Sequence, residues 1–234
     1  HAAAIQYTAL EQLNETDAGD AVLCSVTKIG ERIMNEFYEV CLSLCVGLGL
    51  ATACGFRIFV PLLVMSIAVK TGHLEVAENF SWLSSDAAIA TLAVATAVEI
   101  FAYYLPVVDN FLDAIASPCA VIAGTIVMSS FVPEMAPWLK WCLAAIAGGA
   151  AAGAVQGVTT LLRGASTATT GGLANPVVST SEAAASTGFS LAAIFAPFLA
   201  LIGLIGLVGV VGWQVASRKS ATRSRLAESR TIEV

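Results

Sequence analysis

Residues 40–69 read VCLSLCVGLGLATACGFRIFVPLLVMSIAV, an apolar stretch interrupted only by Arg57 and Pro61. A bilayer core takes about 20 apolar residues of helix to cross. Backbone facing lipid must satisfy its own hydrogen bonds, so a run of this length has to be helical. It is longer than one crossing needs and must tilt, kink or overhang, with Pro61 an obvious kink site. Four more runs qualify downstream: Ala87–Val108 with Glu99 inside, Ala114–Val132 without charge, Trp138–Leu162 with Lys140 at its edge and Gln156 inside, and Gly188–Ala216 without charge but with Pro197. Trp82, Trp138, Trp141, Trp213, Tyr103 and Tyr104 gather near the ends of the runs, as interfacial anchors do. The expectation is an all-α fold, a polytopic transmembrane helical bundle of about five spans.

Composition agrees. The chain is 57% hydrophobic and 12% charged, against about 25% charged residues in a soluble domain. The charge is uneven. Residues 1–40 hold Glu11, Glu15, Asp17, Asp20, Glu31, Glu36 and Glu39 against Lys28 and Arg32, while Arg218, Lys219, Arg223, Arg225 and Arg230 crowd the tail. Three parts follow: an acidic amphipathic head (1–40), a transmembrane domain (41–216) and a basic tail (217–234). With five spans, Lys70, Lys140 and the tail share one side and Lys28, Arg32 and Arg163 the other, which puts the C-terminus in the cytoplasm or its organellar equivalent. Within the head, Val22, Val26, Ile29, Ile33 and Phe37 recur at helical spacing after Asp20, which is placed to cap a helix over 21–39. An acidic face suits a protein partner better than anionic lipid. No basic stripe points to nucleic acid.

Small residues are patterned. Gly47, Ala51 and Gly55 form a ridge on the first run, Gly149, Gly153 and Gly157 on the fourth, and Gly203, Gly206, Gly209 and Gly212 on the fifth. Such ridges let helices approach closely, so the first and fourth runs are candidates to cross directly. Cys41-Leu42 with Gly47 parallels Cys142-Leu143 with Gly148, a weak hint of an internal repeat.

Ionisable groups inside apolar runs are costly and are usually paired or functional. Arg57 and Glu99 lie near the middle of theirs, and the simplest arrangement is an Arg57–Glu99 pair tying the first two helices together; a solute or proton site is the alternative. Asp109, Asn110 and Asp113 follow Pro106. On a helix, 109 and 113 share a face, which suits either a cation-binding pair or the wet end of a helical hairpin. Residues 163–181, RGASTATTGGLANPVVSTS, are rich in hydroxyls, include Asn175 and carry a single charge. They read either as a re-entrant, cavity-lining segment or as a loop packed across the membrane face.

No nucleophile elbow, zincin, P-loop or dinucleotide fingerprint is present, and His73 is a lone loop histidine, so the chain does not read as an enzyme. Cys24, Cys41, Cys45, Cys54, Cys119 and Cys142 form no C-x-x-C pair, and no metal site is expected.

GLGLATACGFRIFVPLL (47–63), TGHLE (71–75), EIFAYYLPVVDNFLDAIASP (99–118) and RGASTATTGGLANPVVSTSE (163–182) resemble the integral membrane family domain of unknown function 4126, over about residues 41–216. The resemblance implies a small multi-span protein of bacteria and some eukaryotic organelles and no established activity. The acidic head departs from the bacterial pattern. With a first residue that is His rather than Met, it suggests a protein imported into an organelle, a plastid (thylakoid) membrane before a mitochondrial one. Two functions compete. The first choice is an accessory or scaffold subunit of a larger membrane complex, contacting lipid and other membrane subunits and holding lipid or pigment. The other is a channel or transporter for a small solute or ion, using Arg57, Glu99, Asp109 and Asp113.

Overall fold

The structure, a computed structural model, describes residues 2–104, 106–206 and 209, with the side chains of 24–104, 112, 114–206 and 209. The chain divides into two compact units, His1–Cys41 and Leu42–Val234. The first consists of helix: α1 (Ala2–Cys54) begins at Ala2, so Asp20 lies inside it and does not cap it. Side chains 24–40 are all exposed, the periodic Val26, Ile29, Ile33 and Phe37 among them.

The second unit holds the end of α1 followed by α2 (Phe59–Lys70), a 3₁₀ turn (Glu78–Ser84), α3 (Asp86–Ala102), α4 (Pro106–Ser129), α5 (Pro137–Ala144), a π turn (Ala145–Gly149), α6 (Ala150–Thr170), α7 (Asn175–Phe195) and α8 (Pro197–Gly206). There is no strand among the described residues. Among the described residues, two helices are long and apolar enough to cross a membrane, Cys24–Cys54 and Pro137–Thr170; the pair Glu78–Ser84 and Asp86–Ala102, bent by 71°, would make a third if counted as one.

The run at 40–69 is not one helix. It breaks at residues 55–58, one turn before Pro61, and the proline explains the place. A proline ring clashes with the carbonyl four residues back, here that of Arg57, and has no N–H to donate. As the third residue of α2, Pro61 needs no intrahelical N–H partner. Pro197 acts likewise: Ala196 before it leaves the helical region (φ −147°, ψ 65°), and α7 ends there.

The segment 163–181 is two helix ends joined by a tight turn rather than irregular backbone. Residues up to Thr170 extend α6, and α7 opens at Asn175. The turn depends on Gly171 (φ 65°) and Gly172 (φ 88°), left-handed positions that glycine takes without steric cost. Pro176 in the first turn of α7 then restarts the helix.

Glycines set the closest approaches. A Cβ at Gly55 would overlap the Ala152 carbonyl oxygen and sit 2.6 Å from Val155 Cβ, so the first and fourth runs do touch. Other ridge glycines face elsewhere: Gly47 packs on Phe131, and Gly149 and Gly153 on Thr125 and Val121 of α4. Gly148, in the π turn, abuts Gly124 of α4. Gly157 meets nothing within 4 Å.

This packing sets apart two substitutions that look equivalent in sequence. Gly55→Ala is expected to lower stability by about 1–3 kcal/mol through overpacking. Gly157→Ala should leave it unlowered, since alanine is also the better helix former. Thermal unfolding of both variants in one detergent checks this.

Candidate functional site

The break between α1 and α2 leaves orphan N–H groups at the start of α2, and a side chain from another helix answers them. At the end of α1 the Ala53 carbonyl accepts the Phe56 and Arg57 N–H groups, and Ser186 Oγ of α7 adds a third bond to it at 3.0 Å. Glu99 of α3 closes the start of α2: Oε1 accepts the Ile58 N–H at 2.8 Å and Oε2 the Phe59 N–H at 3.0 Å. A carboxylate at a helix N-terminus also meets the positive end of the helix dipole. Glu99 therefore does tie α3 to the first run, but through backbone rather than through Arg57.

The ion pair of Arg57 is with Glu182 of α7, which corrects the expected Arg57–Glu99 pair. Arg57 Nη2 donates to the Ser179 carbonyl at 3.0 Å and to Ser179 Oγ at 2.5 Å, and lies 3.5 Å from Glu182 Oε2. The physical reason is local. Glu99 is already committed to two amide donors, whereas α7 offers a carboxylate, a hydroxyl and a carbonyl together. Arg163 of α6 takes the same Glu182, through Nε to Oε1 at 3.0 Å and through Nη2 to Oε2. Both guanidiniums also stand over the ring of Tyr103, their central carbons 4.0 Å (Arg57) and 3.9 Å (Arg163) from its centre. Such cation–π contacts strengthen when desolvated. Arg57, Glu99, Arg163 and Glu182 are each 8% exposed or less.

Two sequence assignments change here. Tyr103, expected at a membrane interface, is buried at the centre of the cluster, while Tyr104 is exposed and bonds Thr180 Oγ1 through its hydroxyl at 2.9 Å. Arg163, counted among the bases that flank the spans on one side, is buried. Ser179 and Glu182 were not singled out from sequence. Their signal was nonetheless present: Asn175, Ser179, Glu182, Ser186 and Ser190 recur every three or four residues, and all are buried on one face of α7.

The remaining expected residues lie on α4, α6 and α7. Gln156 of α6 is buried, with Thr159 Oγ1 donating to its carbonyl at 2.9 Å. Asn175 Nδ2 donates to Thr167 Oγ1 at 3.1 Å and so closes the α6–α7 hairpin. Asp109, Asn110 and Asp113 lie on the first turns of α4, where 109 and 113 share a face, but their side chains are outside the described residues.

A carboxylate shared by two buried guanidiniums is worth most when all three are present. Glu182→Gln is expected to destabilise by about 3–5 kcal/mol, because two cations stay buried with their partner gone. Arg163→Gln should also cost stability. In the double variant the loss should fall short of the sum by about 1–3 kcal/mol, which a double-mutant cycle of unfolding free energies measures.

Compared with known proteins, residues 44–217 match the family described as Domain of unknown function (DUF4126). No curated protein and no solved structure matches the chain. The matched region contains the helix break, the hairpin and every charged residue of the buried cluster, and the chain belongs to the DUF4126 family.

Proposed function

We propose that this is an integral membrane protein of about five crossings that moves a small solute or ion, with the buried charge cluster as its binding station. The observation that carries the reading is four charged side chains meeting at a helix break, where α1, α2, α3, α6 and α7 converge. Broken helices that hold charge at mid-depth are how transporter folds build solute sites. The short apolar helices Phe59–Lys70, Ala114–Ser129 and Pro197–Gly206 suit a bundle of broken and paired crossings. The polarity of the helices supports the same reading. On α6 and α7 the buried faces carry Gln156, Thr159, Arg163, Ser179, Glu182, Ser186 and Ser190, while Leu161, Leu162, Val177 and Phe195 face outward. An ordinary soluble helix has the reverse arrangement.

One observation favours a second reading, an accessory subunit of a larger complex, in an organellar membrane such as that of a plastid. The apolar positions Val26, Ile29, Ile33 and Phe37 of α1 are all exposed, beside acidic Glu31, Glu36 and Glu39. That face suits a helical partner.

Flux separates the two. Purified protein in liposomes is expected to dissipate a proton or small-ion gradient faster than protein-free vesicles. A folded Arg163→Met/Glu182→Leu variant should lose at least about tenfold of that rate, since intramembrane charges mark ion pathways. An unchanged rate in that variant sinks the role of the cluster. Tight vesicles, together with a native mass far above a small homo-oligomer and further chains present, move the weight to the subunit reading.

A further inference from the structure

We propose that Arg57 is the recognition group of a buried site for a small oxyanion (a carboxylate, phosphate or sulfate), taken by its Nε and Nη1 donors. This rests on the transport reading and names the substrate class of that station. A guanidinium presents its N–H donors in a rigid planar fork that matches the oxygens of such anions. Among the described residues, the side-chain hydrogen bonds of Arg57 run through Nη2, to Ser179, with Glu182 beside it. Its Nε and Nη1 are buried with no hydrogen-bond partner among the described residues. A buried donor left without an acceptor carries its full desolvation cost, and the cost is higher on a cation.

The neighbouring carboxylates are already spent. Both Glu99 oxygens accept backbone N–H groups of α2, and both Glu182 oxygens accept from Arg163. Tyr103 holds a second guanidinium, that of Arg163, over the same ring as Arg57. Donors of a buried guanidinium thus remain where the nearby carboxylate oxygens already accept other bonds, and an oxyanion brings the acceptors they lack. The Arg57 side chain has no exposed surface, so an anion there is occluded. Its entry requires α7, which carries Ser179 and Glu182, to part from the helix break.

The test is anion-dependent thermal unfolding of the full chain in detergent, with acetate, phosphate or sulfate titrated against chloride at constant ionic strength. The expected result is a saturable rise in unfolding temperature for at least one of the three in the unaltered protein. Arg57→Lys, which keeps the charge but not the fork, should weaken that binding by about tenfold or more. Glu182→Gln, which removes the competing carboxylate, should tighten it several-fold. The absence of a saturable rise in the unaltered protein overturns the proposal, and it needs no variant to fold. Wild-type affinity in Arg57→Lys, or unchanged affinity in Glu182→Gln, overturns it as well by placing the anion elsewhere. Saturable, Arg57-dependent binding without flux removes the transport reading and keeps the site. Cation flux without anion binding does the opposite.

Discussion

A helix that stops inside an apolar bundle leaves N–H and C=O groups that its own turns no longer satisfy, and each is costly to bury unpaired. The rest of the Leu42–Val234 unit is arranged around that constraint. Pro61 stops the first apolar run one turn early, at Arg57. From then on α3 must bring Glu99 to the new N-terminus, while Ser186 of α7 adds a cross-helix bond at the old C-terminus. Arg57, stranded at the break with nowhere to reach solvent, needs an acceptor from a third direction. Ser179 and Glu182 supply it. One proline thus fixes which helices have to meet.

The α6–α7 hairpin is the means by which the acceptors arrive. A turn made by Gly171 and Gly172 lays α7 back beside α6, so that Arg163 and Glu182, 19 positions apart in sequence, form a two-point contact. Asn175 bonding to Thr167 holds the hairpin at its closed end. Arg163, Ser179, Glu182 and Ser186 then face inward, while Leu161, Leu162, Leu173 and Val177 lie outward. This inverted amphipathicity links local sequence pattern to environment. Inward hydroxyls and charges find partners only in the bundle, and outward aliphatic groups suit an apolar surrounding.

Tyr103 shows how the same residue type can serve opposite ends. At the edge of an apolar run, an aromatic ring reads as an interfacial anchor. Adjacent Tyr104 is exposed, but Tyr103 is drawn under two guanidiniums, where the face of its ring stabilises charge that has left water. The difference between neighbours is one of helix phase, and phase at the frayed end of α3 depends on what packs against it.

Sequence alone determined that the chain is helical, where its apolar runs lie, which prolines interrupt them, and that Arg57 and Glu99 sit in costly places. These follow from local properties: run length, ring geometry and the price of burying charge. It also carried the hairpin glycines, though hydroxyl-rich flanks read as irregular backbone rather than as two helix ends. Only the tertiary structure decided the partners. Glu99 was free to choose between a guanidinium and two amides, and Arg57 between Glu99 and the acceptors of α7. Those choices depend on competition among groups brought together from distant parts of the chain, a competition that spacing along one helix does not encode.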